Sequence, residues 1–117
     1  MSSNGMNGKR VKVSRIGNMA FSVPCVHRFL KEKGYVYTVR GYRMRDMKVN
    51  VKDIGVCVRK RCVKRNGNDL VMNKEDLKKL VEYSGFDSLD AWWDKINMFC
   101  GNKNKWCYFV KVKNVAL

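Results

Sequence analysis

The chain reads as α+β, a small mixed β-barrel with a short N-terminal helix and a pair of helices before the last strand. Three observations lead there. Stretches that alternate apolar and polar residues outnumber stretches with helical spacing. Helices do not separate the strands one by one, as a doubly wound sheet requires. A length of 117 residues suits one domain, able to bury about two-thirds of its unfolded surface. Residues 1–10, small and polar, are expected to be a flexible N-terminus, and residues 11–117 the single domain.

In order, a first strand is expected near Met19–Phe21. Pro24 suits the first turn of a helix because its missing N–H is not needed there. Val26, Phe29 and Leu30 follow at i, i+3 and i+4, and Gly34 ends that helix. The stretch Gly34 to Arg45, GYVYTVRGYRMR, opens the next strand. Its alternation puts Val36, Thr38 and Arg40 on one face and Tyr35, Tyr37 and Val39 on the other. After it, 46–55 reads as an irregular link closing in a turn at Lys52–Gly55. Val56–Arg65 reads as a strand whose consecutive same-face arginines, Arg59 and Arg61, imply a wet, positive side. Asn66–Asp69 tolerates positive φ and predicts a hairpin, with Leu70–Met72 as its short return.

Two helices are expected next. Asn73 caps the first, Leu77, Leu80 and Val81 form its stripe, and Gly85 ends it. Asp87 or Ser88 caps the second, whose apolar face is Leu89, Trp92, Trp93, Ile96 and Phe99; both tryptophans read as core. Trp106–Val112 alternates cleanly and forms the last strand.

The net charge is +15, and it is segregated. Residues 1–65 hold 17 Lys or Arg against three acids, Glu32, Asp46 and Asp53; residues 66–117 hold 8 against 7. A basic field confined to half of a small domain is the footprint of a polyanion partner. RNA is the expected partner and DNA a possible one; an anionic membrane surface or an acidic protein fits the charge less well. No apolar run reaches the ~18 residues of a membrane span and no signal peptide is recognisable, so the expected location is cytoplasmic. The five cysteines lack a CxxC knuckle: Cys57-x4-Cys62, Cys100-x6-Cys107 and Cys25-x-His27 read as buried thiols before disulfides or zinc. No metal and no cofactor is expected.

Gly34, Thr38 and Arg40 within GYVYTVRGYR resemble the signature of the ASCH domain family, in which a short helix ends in Gly and the next strand carries Thr-x-Arg. VKDIGVCV is similar to the turn and strand that follow, and LVEYSGFDSLDAWWDKINMF with KWCYFVKV resembles the paired helices and closing strand of archaeal ASCH proteins. The resemblance covers about residues 19–113. It implies a PUA-like pseudo-barrel associated with RNA, with a cleft beside the Thr-x-Arg strand and the helix before it. There Thr38 would offer a hydroxyl and Arg40 a guanidinium fork for phosphate or a base edge.

The function expected is therefore RNA binding. Lys31, Lys33, Arg40, Arg43, Arg45, Arg59 and Arg61 would contact phosphates, and Tyr42 would stack on a base. Three alternatives stand beside this. Arg40 could instead hold a structural salt bridge to Asp87 or Asp90. The helical half could be a protein-binding face if Trp92 or Trp93 were exposed. A ribonuclease or other RNA-modifying hydrolase could use the same cleft, with His27, Lys33 and Arg40 gathered in it. The amidohydrolases among ASCH-like proteins place a nucleophilic lysine where this chain has Tyr35, and a threonine where it has valine. A phenol at its ordinary pKa of about 10 replaces that lysine poorly.

Overall fold

The computed structural model describes residues 15–113. Residues 1–10, expected to form a flexible N-terminus, lie outside them. Among the described residues the architecture is α+β: a five-stranded mixed sheet with helices packed on both of its faces. The strands are β1 (Gly17–Asn18), β2 (Tyr35–Arg40), β3 (Met47–Val51), β4 (Gly55–Arg61) and β5 (Trp106–Val112), and the spatial order is β1-β3-β4-β5-β2. Only β1 and β3 run parallel; β3·β4, β4·β5 and β5·β2 are antiparallel.

The expected barrel closure is not made among the described residues. β1 and β2 are the two edges, with no ladder between them. Instead the sheet curls until a side chain spans the gap: Arg40 Nη2, at the end of β2, donates to the Ala20 carbonyl, just past β1, at 2.8 Å. The first strand lies two residues earlier than its expected place at Met19–Phe21, and among the described residues it pairs with β3 alone.

Helix α1 (Pro24–Lys33) is built as read: Pro24 opens it and Gly34, at φ 87°, closes it with its N–H on the Leu30 carbonyl. Its Val26 and Leu30 bury against Met19, Val36, Val49, Val51, Cys57 and Val110, which form the core inside the curl. The 46–55 segment corrects the reading of an irregular link. Met47–Val51 is a full strand, hydrogen-bonded to β1 on one side and β4 on the other, with Val49 and Val51 buried. The turn at Lys52–Gly55 is present, Asp53 (φ 67°) and Gly55 (φ 109°) giving the left-handed backbone it requires.

Strand β4 ends at Arg61 rather than Arg65. The hairpin turn follows at Gly67 (φ 89°), but its return is reduced to two isolated bridges, Val63↔Asp69 and Val71↔Trp106. The first of the two expected helices is also much shorter. α2 is one turn, Lys74–Leu77, capped reciprocally by Asn73 and Asp76, and it passes into a 3₁₀ turn at Val81–Tyr83. α3 (Leu89–Cys100), capped by Ser88, is the full helix expected. It buries Trp92, Ile96 and Cys100 in a second cluster with Leu77, Met72 and Cys107, on which Tyr37, Val39 and Trp93 pack. Both tryptophans thus serve the core, while Phe99, expected on the same face, is 61% exposed.

Candidate nucleic-acid interface

The gap between the sheet edges is a cleft of about 260 Å³. One wall is Ala20 to Val23 with the first turn of α1, the second is Thr38 to Tyr42, and the third is the α3 face carrying Trp92, Lys95, Ile96 and Phe99. Gly41 lets the third wall close in: a Cβ there would sit 3.4 Å from Cys100 Sγ and from Lys103 Cδ.

Three of the residues singled out from the sequence line this cleft. Thr38 is buried on the inner face of β2 (8% exposed). Arg40 lies over the Phe21 ring, its Cζ 5.1 Å from the centroid, and it uses one of its five N–H donors on Ala20. A salt bridge from Arg40 to Asp87 or Asp90 does not form; Asp90 pairs with Lys74 at 2.6 Å. Stacked and pinned, the guanidinium is pre-oriented at the cleft, with no carboxylate paired to it among the described residues. Tyr42 is 57% exposed at the mouth.

Lys95 and Lys103 add two cations that sequence reading missed, and among the described residues no carboxylate lines the cleft. Lys95 is one turn from Trp92, a spacing the sequence contains; Lys103, in the loop after α3, carries no periodic signal. Phe21 and Phe99 supply aromatic walls on either side. The Cys100 thiol at the back is pushed up by burial, against the opposing pull of Lys105, Arg40 and Lys103, so it stays protonated at neutral pH.

The remaining candidates lie elsewhere. Arg59 is inaccessible to a phosphate: it is 5% exposed, and its Nε (3.1 Å) and Nη2 (2.9 Å) both donate to the Arg45 carbonyl. The β4 face carrying Cys57 and Arg59 points into the curl, so the expected wet arginine side is interior there. Burial lowers the Arg59 pKa from its ordinary value, yet the guanidinium stays charged at neutral pH.

Arg61 and Arg43 are joined through Asp69, Arg61 Nη1 to Oδ1 at 3.1 Å and Arg43 Nε to Oδ2 at 3.0 Å. Arg61 also binds Asp46 through its backbone N–H (2.7 Å) and Nε (3.3 Å), and Arg43 lies over Trp106. These arginines brace the base of the hairpin, and two carboxylates offset their charge. Arg45 is exposed next to them. Lys31 and Lys33 occupy the last turn of α1, roughly 12 Å along the helix from the cleft. They line a separate hollow of about 270 Å³ whose charge Glu32 and Asp53 balance.

His27 does not line the cleft; its Nε2 is 2.9 Å from the Lys52 carbonyl and donates to it. His27, Lys33 and Arg40 are therefore not gathered in one place. Among the described residues no group of acidic, histidine and cysteine side chains could hold a metal, all five cysteines are free thiols, and no helix is long and apolar enough to cross a membrane. No known family, no curated protein and no solved structure matches the chain.

Proposed function

We propose that the protein binds RNA through the seam between its sheet edges, taking one nucleotide of a strand between Phe21 and Phe99 with its phosphate held by Arg40. The observation that carries this is the acid-free cleft itself. It presents three cations, Arg40, Lys95 and Lys103, around apolar walls, with the Thr38 side chain at its floor. Aromatic walls suit a base face and a pinned guanidinium suits a phosphate. The curl of the sheet, with α1 at the seam, is compatible with a PUA-like pseudo-barrel of the ASCH type, and that assignment is part of the proposal.

Fluorescence anisotropy with a labelled RNA tests it. Affinity is expected to fall steeply between low and moderate salt, because each phosphate contact releases counterions. Arg40→Ala is expected to weaken binding about tenfold, consistent with a lost charge-assisted contact, while circular dichroism stays native. Affinity that is flat with salt, or unaltered in Arg40→Ala, overturns the reading.

A further inference from the structure

The outward face of the sheet, on the far side of β2 from the cleft, has its own composition. The ladders align its residues in three rungs. Lys113, Val56 and Asn50 form the first, Tyr35, Lys111, Val58 and Lys48 the second, and Tyr37, Phe109 and Lys60 the third. Within the strands no position in these rungs is acidic; the next residue in register opposite Lys60 is Asp46, just before β3, and it is engaged by Arg61. Among the described residues none of the four lysines forms an ion pair; the acids that are paired serve Arg43, Arg61, Lys74 and Lys78. The aromatic rings form a partly exposed group: Phe109 lies 4.9 Å from Tyr37 and 6.1 Å from Tyr35, and Tyr83 borders both tyrosines. The acid at this border is Glu82, whose proximity raises the pKa of the Tyr83 phenol.

We infer that this outward face is a second binding surface, for a single-stranded polynucleotide, with Tyr35 and Phe109 stacking bases and Lys48, Lys60 and Lys111 holding phosphates. Lys48 and Lys111 stand two strands apart, about 10 Å, and Lys60 is diagonal to both; Phe109 sits directly beside Lys60 and two residues from Lys111 on β5, while Tyr35 sits beside Lys111 at the β2 edge. That interleaving matches the alternation of charge and ring along an unpaired strand; a duplex hides its base faces and offers only the charge. Lys48 also lies against Lys113, and this ammonium pair, with no carboxylate to neutralise it, depresses the Lys48 pKa. An incoming phosphate relieves that repulsion. The inference stands on this face alone and does not require the cleft to bind.

The test uses the full chain with labelled U12 and dT12. The triple variant Lys48→Ala/Lys60→Ala/Lys111→Ala, altered only at polar positions of the open face, is expected to bind the 12-mers about tenfold more weakly. The slope of log affinity against log salt should drop by about two, from three lost contacts at roughly 0.7 each. Ultraviolet irradiation of the wild-type complex should crosslink the strand to peptides containing Tyr35 or Phe109, and Arg40→Ala should keep those crosslinks. Preference between U12 and dT12 identifies which polynucleotide the face takes.

Wild-type affinity and slope in the triple variant overturn the inference. Crosslinks confined to the cleft overturn it as well; in either case a loss seen with Arg40→Ala leaves the cleft reading standing. If neither 12-mer binds while vesicles of about 30% phosphatidylserine do, and the triple variant loses them, the face is a lipid-binding one and the inference fails.

Discussion

Arg59 shows how a side chain's role depends on the carbonyl it faces. It sits on the inner rung with Val110 and Met47, and both of its bonded nitrogens reach the Arg45 carbonyl across the top of the core. Hydrogen bonds from a charged donor contribute about 1.5–3 kcal/mol each, so Arg59→Ala should destabilise the fold by about 2–3 kcal/mol. Urea denaturation reads this as a lower midpoint, while the salt slope of the proposed RNA binding, measured on the folded variant, stays that of wild type. Tyr108 likewise ties a loop to the core, since its hydroxyl accepts from the Met44 N–H at 2.6 Å and donates to the Tyr42 carbonyl at 3.1 Å. Tyr108→Phe should cost about 1–3 kcal/mol by orphaning that buried N–H, seen as a lower melting temperature. It should also loosen the segment that presents Tyr42 to the cleft. Two further residues split by environment. A hydrogen bond from Cys107 lowers the Cys62 thiol pKa, and the same bond with burial raises that of Cys107. As pH rises above 7, iodoacetamide should label Cys62 first and leave Cys107 untouched until the protein unfolds; equal labelling rates would contradict this. At this scale the sequence made Thr38, Arg40 and Tyr42 legible, because a short motif carries them on one strand and its exit. Arg59 was illegible because its partner is a backbone oxygen fourteen residues away, which no side-chain pattern announces.

Elements were legible where a pattern was long and punctuated. α1 runs between Pro24 and Gly34 and α3 between Ser88 and Gly101, each held by a terminus the sequence displays. β3 was missed although Met47, Val49 and Val51 alternate with Lys48 and Asn50; five residues among charges look like a loop until their partners on both sides are known. The segment after Asn73 failed the other way. Its Leu77, Leu80, Val81 stripe is real, yet Leu80, Tyr83 and Ser84 bond to carbonyls three residues back, which tightens the chain out of the α-helix. That tightening carries Gly85 directly onto α1. A Cβ at Gly85 would lie 2.7 Å from the Cys25 carbonyl oxygen and 3.1 Å from Val26 Cα, at a φ of 88°. Backbone atoms of a packed helix cannot yield, so Gly85→Ala should cost about 2 kcal/mol or more in chemical denaturation. A variant as stable as wild type would mean that α1 and this turn are not in contact.

Over the described residues the molecule is a sheet that curls without closing, and at its unclosed seam Arg40, Lys95 and Lys103 meet aromatic walls. Sequence patterning predicted the curl's components apart from β3, but not the opening. Closure depends on whether β1 pairs with β2 as well as with β3, and a two-residue strand leaves no periodic trace. The charge segregation also took a different form in space. The arginines of the first half are partly braced by Asp46 and Asp69, while lysines from both halves of the chain converge on the outward face. Binding a polyanion should therefore stabilise the folded state: at a free RNA concentration a hundred times Kd the gain is about 2.7 kcal/mol. For a domain of this size that is a rise in melting temperature on the order of 10 °C, which should vanish at high salt. No shift at low salt would argue against polyanion binding by either surface.

One consequence of the open seam concerns β2 itself, which among the described residues has a ladder on one side only. Val112 donates to the Gly34 carbonyl, and with the Tyr35↔Lys111 register this turns the amides of Val36, Thr38 and Arg40 toward β5 and those of Tyr35, Tyr37 and Val39 away from it. In deuterated water, β2 should therefore exchange as a comb, slow and fast positions alternating residue by residue along six residues. A ligand lodged in the seam would slow the tooth nearest to it, Val39, and leave Tyr35 at the far end of the strand as it was.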